Sequence, residues 1–187
     1  VRIIAGAARG RKLQVPDGHA LRPTPDRVRE ALFSMLTPTL AGASFLDLYA
    51  GTGAVGLEAI SRGADRAVLV ERAPEHLAIL RANLETTRLQ GVLIEPGDVL
   101  GVLDRLAARG ERFDLVFVDP PYAAEAERIA CLTRLARGDL LAAGGRIVVE
   151  TAARVPPSAI DSLSLIRECR YGDTRLAFYV RWGGSPP

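Results

Sequence analysis

Two short runs in the sequence combine residue types able to do chemistry: Asp119-Pro120-Pro121-Tyr122, and the stretch from Asp47 through Tyr49, Ala50, Gly51, Thr52 and Gly53 to Gly56. The first suits an aromatic amino group as substrate. Such a nitrogen is a poor nucleophile because its lone pair is delocalised into the ring. The Asp119 carboxylate and the Pro120 carbonyl can both accept hydrogen bonds from the NH2, aim the nitrogen at an electrophile and ease its pyramidalisation. The two prolines fix the backbone, so the acceptors are in place before the reaction begins. Tyr122 can stack on a base, a contact worth roughly 1–3 kcal/mol. A base must be unpaired or extruded to reach such a group. Alone, the tetrapeptide also reads as a proline-rich turn with a surface tyrosine; its place after a glycine loop, at the end of an apolar run, favours catalysis.

The second run is a strand-to-helix turn. Its glycines allow a sharp bend and close approach of a ligand to the backbone, and the helix start offers free N–H donors. Gly51-x-Gly53-x-x-Gly56 also matches the dinucleotide fingerprint, with Glu71 about 20 residues on, as that reading requires. Asp47 argues against it, since a carboxylate there would repel a pyrophosphate. S-adenosylmethionine carries no phosphate, and its sulfonium and ammonium groups tolerate a carboxylate. Glu71, followed by Arg72, can accept from ribose hydroxyls. Asp98, followed by Val99, can accept from the adenine amino group or cap the next helix. Carbon methylation of cytosine would need a cysteine after a proline; neither Cys131 nor Cys169 has that context, so the target atom is nitrogen.

These runs must be positioned by alternating β and α units. Strands are expected at 44–49, 66–71, 91–95, 113–118 and 146–150, and helices at 54–62, 74–88, 99–109 and 124–137, with Gly63 and Gly110 as stops. Continuous apolar strands separated by helices predict an α/β fold, a parallel sheet covered on both faces. Two further β-prone runs, 162–167 and 174–182, would close the sheet with an antiparallel strand, making seven. Before this body, residues 2–6 and 12–15 predict a small N-terminal β-hairpin with a basic tip. A helix through about residue 37 would follow, with Thr24 as its cap and Pro25 at its first position. The expected division is an arm at 1–23 and a body at 24–187.

Net charge is +2, unevenly spread: residues 1–30 carry +4 and the remainder −2. A basic arm on a near-neutral body suggests a polyanionic partner. Arg9, Arg11 and Lys12 at the hairpin tip, with Arg22, Arg27 and Arg29 beyond, are the candidate nucleic-acid contacts. Arginine suits this because its planar fork grips phosphate and stacks on bases; a merely solvated basic face is the plainer alternative. The cysteines have no metal-finger spacing, so no metal is expected, and they fit a reducing compartment. No apolar run reaches the roughly 18 residues of a membrane span, and the first is too short for a signal peptide. A cytoplasmic location and a monomer are expected.

The ordered set DLYAGTGAVG, VLVE, GD and DPPY resembles the Rossmann-like class I methyltransferases. RIIAGAARGRKL at 2–13, RPTPDRVREALFSML at 22–36 and YGDTRLAFY at 171–179 tighten the resemblance to the RsmD family, the small-subunit ribosomal RNA guanine-N2 methyltransferases. Pro25 gives the RPTxDRVRE segment its own variant. The resemblance implies a mostly parallel seven-stranded sheet with helices on both faces, and S-adenosyl-L-methionine as methyl donor with S-adenosyl-L-homocysteine as product. It implies the glycine loop, Glu71 and Asp98 as cofactor contacts and Asp119 to Tyr122 as the catalytic loop. The implied substrate is guanine 966 of 16S rRNA, within a partly assembled small ribosomal subunit. Alternatives are an N-methyltransferase acting on DNA adenine or cytosine, a nucleic-acid-binding module without turnover, and an NAD-dependent oxidoreductase. The acids at Asp47 and Asp119 argue against the binding module, since neither is needed to grip phosphates.

Overall fold

The computed structural model describes residues 1–16, 24–121 and 124–182. Its strands are β1 (Ser44–Leu48), β2 (Arg66–Glu71), β3 (Val92–Pro96), β4 (Phe113–Val118), β5 (Leu141–Ala152), β6 (Leu163–Tyr171) and β7 (Thr174–Arg181). They form one sheet in the order β3-β2-β1-β4-β5-β7-β6. β3 to β5 pair in parallel, and β7 runs antiparallel to both of its neighbours. This is the Rossmann-like class I methyltransferase arrangement that the sequence implies. β1, β2 and β4 are buried along nearly their whole length, as their unbroken apolar runs require when both faces are covered.

Among the described residues, five helices supply the cover: α1 (Asp26–Leu40), α2 (Ala54–Ser61), α3 (Pro74–Thr87), α4 (Val99–Ala108) and α5 (Glu125–Ala136). Leu32, Phe33 and Leu36 of α1, Leu57 of α2 and Leu80 of α3 share a core with Leu69, Phe117 and Val148 on one face of the sheet. Val102, Leu103 and Leu106 of α4 pack with Leu132 and Leu135 of α5 on the other.

Three local expectations are corrected. Thr24 does not cap α1: the cap position is Pro25, which makes no side-chain bond to the helix, and the Thr24 hydroxyl donates instead to Glu150 Oε2 at 3.0 Å. The helix runs past residue 37 to Leu40, with Pro38 inside it. Around the proline the hydroxyls of Thr37 and Thr39 bond back to the Phe33 and Leu36 carbonyls, and Leu40 is buried. β5 begins at Leu141 rather than 146, its register against β4 broken between Phe113 and Leu115, beside Gly144 and Gly145.

The N-terminal segment turns back on itself as a minimal antiparallel hairpin, with Ile3 N–H on the Arg11 carbonyl at 2.9 Å and Leu13 N–H on the Val1 carbonyl at 3.0 Å. A single antiparallel bridge joins Arg2 to Lys12. Four of the residues between donate their backbone N–H groups to α2. Ile4 and Ala5 donate to the two carboxylate oxygens of Glu58, at 2.7 and 3.0 Å, and Ala7 and Ala8 donate to the Ser61 carbonyl and hydroxyl, at 2.7 and 2.9 Å. Gly6, at φ +81°, lies so close that a Cβ there would sit 1.6 Å from the Ser61 carbonyl oxygen. Ile3, Ala8 and Leu13 join the core beneath α1 and α2. Covered by the sheet on one side and this segment on the other, α2 is buried at all eight residues, which explains its nearly all-apolar sequence.

Candidate active site at the carboxyl edge of the sheet

The strand order reverses direction between β1 and β4, and open α/β sheets bind ligands at such a point, outside the carboxyl ends of the strands. Here those ends carry the two chemically equipped runs. Leu48 and Val118 are register partners, and the Asp119 N–H donates to the Leu48 carbonyl at 3.4 Å. The Asp119 run and the glycine loop therefore start side by side.

The glycine loop bends sharply. Tyr49 has φ +67°, a left-handed backbone costing a non-glycine residue about 1–2 kcal/mol, and Gly51 and Gly53 follow at +56° and +80°. Three contacts hold the bend: Ala50 N–H on the Val70 carbonyl at 2.8 Å, Gly53 N–H on the Ala50 carbonyl at 2.8 Å, and Gly56 N–H on Asp47 Oδ2 at 2.8 Å. Burial of the Tyr49 side chain pushes its hydroxyl above the usual tyrosine range. Gly53 and Gly56 are also required by packing. A Cβ at Gly53 would meet Leu80 Cδ1 at 2.2 Å, and one at Gly56 would meet Leu69 at 2.7 Å. Thr52 is buried, and its carbonyl accepts from Asn83 Nδ2 at 2.9 Å.

Glu71 ends β2 facing this loop. Its Oε2 accepts from Gly51 N–H, and its Oε1 from the N–H groups of Arg72 and Ala73, all at 2.8 Å. A carboxylate offers about four acceptor positions, so the side chain first ties the loop to the strand. Asp98 is the N-cap of α4, accepting from Leu100 N–H at 3.0 Å, and Arg72 approaches its other oxygen at 3.9 Å. Val99 is buried in the core beneath α4.

The donor set fits S-adenosylmethionine. Three acids, Asp47, Glu71 and Asp98, border the loop, suiting a sulfonium, an ammonium, a ribose diol and an adenine amino group better than a pyrophosphate. Among the described residues, no group of three acids, histidines or cysteines can hold a metal.

Asp119 lies beside other acids. Side chains alternate along a strand. Phe117 pairs with Asp47 and Val148, so Asp119 and Glu150, two residues further on, face the same way as Asp47. Desolvation holds the Asp119 carboxyl well above the usual carboxylate range, and Glu150 and Asp47 add to the effect. Burial likewise pushes Asp47 up to about 7, against the pull of the Gly56 N–H and with help from Glu71 and Glu150. Pro120 is buried and Pro121 exposed. Tyr122 lies outside the described residues. Cys131 is buried in the α5 core, where desolvation pushes its thiol up to about 12, and Cys169 lies on β6 against Met35. Neither is placed as a nucleophile.

The basic candidates divide. Arg9, Arg11, Lys12 and Arg27 are exposed, and Arg11 also donates to the Thr86 carbonyl at 2.8 Å. Arg22 lies outside the described residues. Arg29 does not reach solvent at all: it is 0% exposed and donates to Asp26, to the Arg2 carbonyl and to the Ala54 carbonyl. It pins the arm, α1 and α2 together, so it is withdrawn as a phosphate contact.

Sequence reasoning missed the residues that fasten the arm: Glu58, Ser61, Asn83 and Glu150. Asn83, fully buried, accepts from Gln14 N–H at 2.7 Å while donating to the Thr52 carbonyl. Glu58 is a charged residue in the nearly all-apolar α2, a signal that could have marked it, and Asn83 lies on the buried face of α3 with Leu80 and Thr87.

A family model described as conserved hypothetical protein 95 matches residues 1–180. The chain is 35% identical over 183 residues to ribosomal RNA small subunit methyltransferase D of Haemophilus influenzae, covering 96% of this chain and 93% of that protein. The protein of the same name from Escherichia coli is 45% identical over 122 residues, 65% of this chain and 60% of that one. The solved structure of a hypothetical protein from Thermus thermophilus superposes with a TM-score of 0.82 at 38% identity, covering 95% of this chain and 98% of that one. The chain belongs to the RsmD family of methyltransferases.

Proposed function

We propose that this protein transfers a methyl group from S-adenosylmethionine to the exocyclic N2 amino group of a guanine in small-subunit ribosomal RNA, guanine 966 of 16S rRNA by family resemblance. The observation that carries this reading is the junction at the strand edge, where Asp119 and the glycine loop begin one hydrogen bond apart. When bound, S-adenosylmethionine supplies an electrophilic methyl group and departs as S-adenosylhomocysteine. Tyr49 to Gly53, Glu71, Arg72, Asp98 and Val99 form its cradle. The Asp119 carboxylate and Pro120 carbonyl accept from the guanine NH2 and hold its lone pair toward the methyl. With its proton affinity raised, Asp119 is suited to take the proton that the nitrogen sheds. Tyr122 stacks on the base.

The same acceptors would serve adenine or cytosine in DNA. The exposed basic groups of the arm suit either polyanion, and the names of the relatives favour RNA. Incubation with labelled S-adenosylmethionine and, separately, small ribosomal subunits, naked 16S rRNA and duplex DNA distinguishes them. Label is expected in RNA; label in DNA alone sinks the RNA reading. A monomer in the cytoplasm, acting on a partly assembled subunit, completes the proposal.

The arm is read as an RNA clamp. Changing Arg9, Arg11 and Lys12 together to Ala should weaken RNA binding and flatten its salt dependence, because fewer counterions are released. Affinity for S-adenosylmethionine should remain. Wild-type RNA affinity and salt slope in this variant would place the grip elsewhere.

Cofactor affinity should depend on pH through Asp47. Its carboxyl titrates at about 7, and a cationic ligand favours the ionised form. Below that pH, binding must expel a proton. Affinity should therefore rise with pH through about 7 and level off above, as calorimetry in buffers of different ionisation enthalpy will measure. A flat affinity across neutral pH contradicts this role for Asp47.

A further inference from the structure

Glu150 stands at the carboxyl end of β5 and is 2% exposed. It follows Val149, the register partner of Val118, so it flanks Asp119 across the β4–β5 pair. On its other side it pairs with Leu176 of β7, which belongs to the core beneath α1. The charge of Glu150 thus sits in the face of the sheet covered by α1, at the edge where the transfer is placed.

Its contact with that helix is specific. The Thr24 hydroxyl, 6% exposed, donates to Glu150 Oε2 at 3.0 Å across 126 residues of sequence. Immediately beyond, Pro25 opens α1, its carbonyl accepting from the N–H groups of Val28 and Arg29 at 2.9 and 3.0 Å. Arg29 in turn carries the Arg2 carbonyl of the arm. An unbroken chain of contacts therefore runs from the strand end beside Asp119, through Thr24 and the first turn of α1, to the basic segment.

Burying a carboxylate is costly, and a core position facing Leu176 would be filled more favourably by an apolar residue. Its presence calls for a role that an apolar side chain cannot supply. We propose that Glu150 is a positioning residue for methyl transfer, holding through Thr24 the start of α1 and the arm behind it against the strand edge that presents Asp119. This rests on the function proposed above and adds a residue to it. Among the described residues, the charged groups facing Asp119 are Asp47 from β1 and Glu150 from β5, both acids that oppose its ionisation. Glu150 therefore also helps set the pH at which Asp119 accepts hydrogen bonds from the substrate amino group.

The test uses three variants of the full chain. Glu150→Gln keeps an acceptor for Thr24 but drops the charge, Glu150→Ala removes both, and Thr24→Val removes the donor. Hydrogen exchange at the Val28 and Arg29 amides reports docking of α1 without reference to activity. Exchange there should quicken in Glu150→Ala and Thr24→Val and stay near wild type in Glu150→Gln. With labelled S-adenosylmethionine and small subunits, kcat should fall about 10–100-fold in Glu150→Ala and Thr24→Val, the scale of a misplaced reacting group, with cofactor affinity unchanged when measured well above neutral pH, where Asp47 is ionised in every variant. Glu150→Gln should recover most of kcat, and the acid limb of its pH profile should move to lower pH, because removing a neighbouring negative charge makes Asp119 easier to ionise. Unchanged exchange and kcat in Glu150→Ala would overturn the assignment, as would a Glu150→Gln profile superposing on the wild type. If the wild-type protein methylates no nucleic acid, the functional reading fails, while the exchange comparison still decides whether Glu150 holds α1.

Discussion

Replacing Asp119 with alanine should cut methyl transfer about 10²–10³-fold, the cost of losing one preorganised charge-stabilising group, while leaving affinity for S-adenosylmethionine near wild type. The split follows from position. Asp119 starts the run at the end of β4 and is proposed to face the base, whereas the proposed cofactor cradle lies on the loop after β1, the end of β2 and the head of α4. Stability should move the other way. The Asp119 carboxyl is held above its ordinary range by burial and by Glu150 and Asp47, so at neutral pH its ionised form works against the fold. The alanine variant should unfold at the same temperature as wild type or higher. Single-turnover transfer, calorimetry with the cofactor and thermal melting together check the assignment. A parallel loss of cofactor affinity, or a marked fall in melting temperature, would place Asp119 in the cradle or in the scaffold instead.

Gly53→Val should remove cofactor binding by a different route. At φ +80°, a Cβ on residue 53 would lie 2.2 Å from Leu80 Cδ1 and 3.3 Å from Leu69 Cδ2. The left-handed backbone costs an L-residue about 1–2 kcal/mol, and overpacking a core typically costs a further 1–3 kcal/mol. For a chain of this size each kcal/mol lowers the melting temperature by roughly 2–4 °C. Loop and core cannot both keep their places, so the bend from Tyr49 to Gly53 opens and its grip on the ligand goes with it. Calorimetry should find no measurable binding, and the melting temperature should drop. A variant with wild-type affinity and melting temperature would contradict this packing account.

The body of the fold was legible because its strands are buried on both faces and their unbroken apolar runs leave little ambiguity. The two chemically equipped runs were legible for a related reason, each lying where such a run stops. The fastening of the arm was not. Residues 2–6 look like an ordinary strand, but the N–H groups of Ile4 and Ala5 are taken by Glu58 of α2, more than fifty residues away, and no local pattern announces such partners. Thr24 misled in the same way: it has the chemistry of a helix cap, yet its hydroxyl reaches Glu150 across the molecule. The charge count that marked Arg29 for a phosphate could not see that three acceptors, two of them carbonyls of the arm and of α2, enclose it. At Gly53 the glycine was recognised and its packing role was not, since Leu80 arrives from another helix.

The central claim is best tested by the identity of the methylated nucleoside. Small ribosomal subunits lacking the modification are incubated with the protein and isotopically labelled S-adenosylmethionine, the RNA is digested to nucleosides, and the labelled product is identified by chromatography and mass spectrometry. N2-methylguanosine is expected from a single site in the small-subunit RNA, formed about 10²–10³-fold more slowly by the Asp119→Ala variant. Label in N6-methyladenosine, in 5-methylcytidine, or in a guanosine methylated on the ring would contradict that claim.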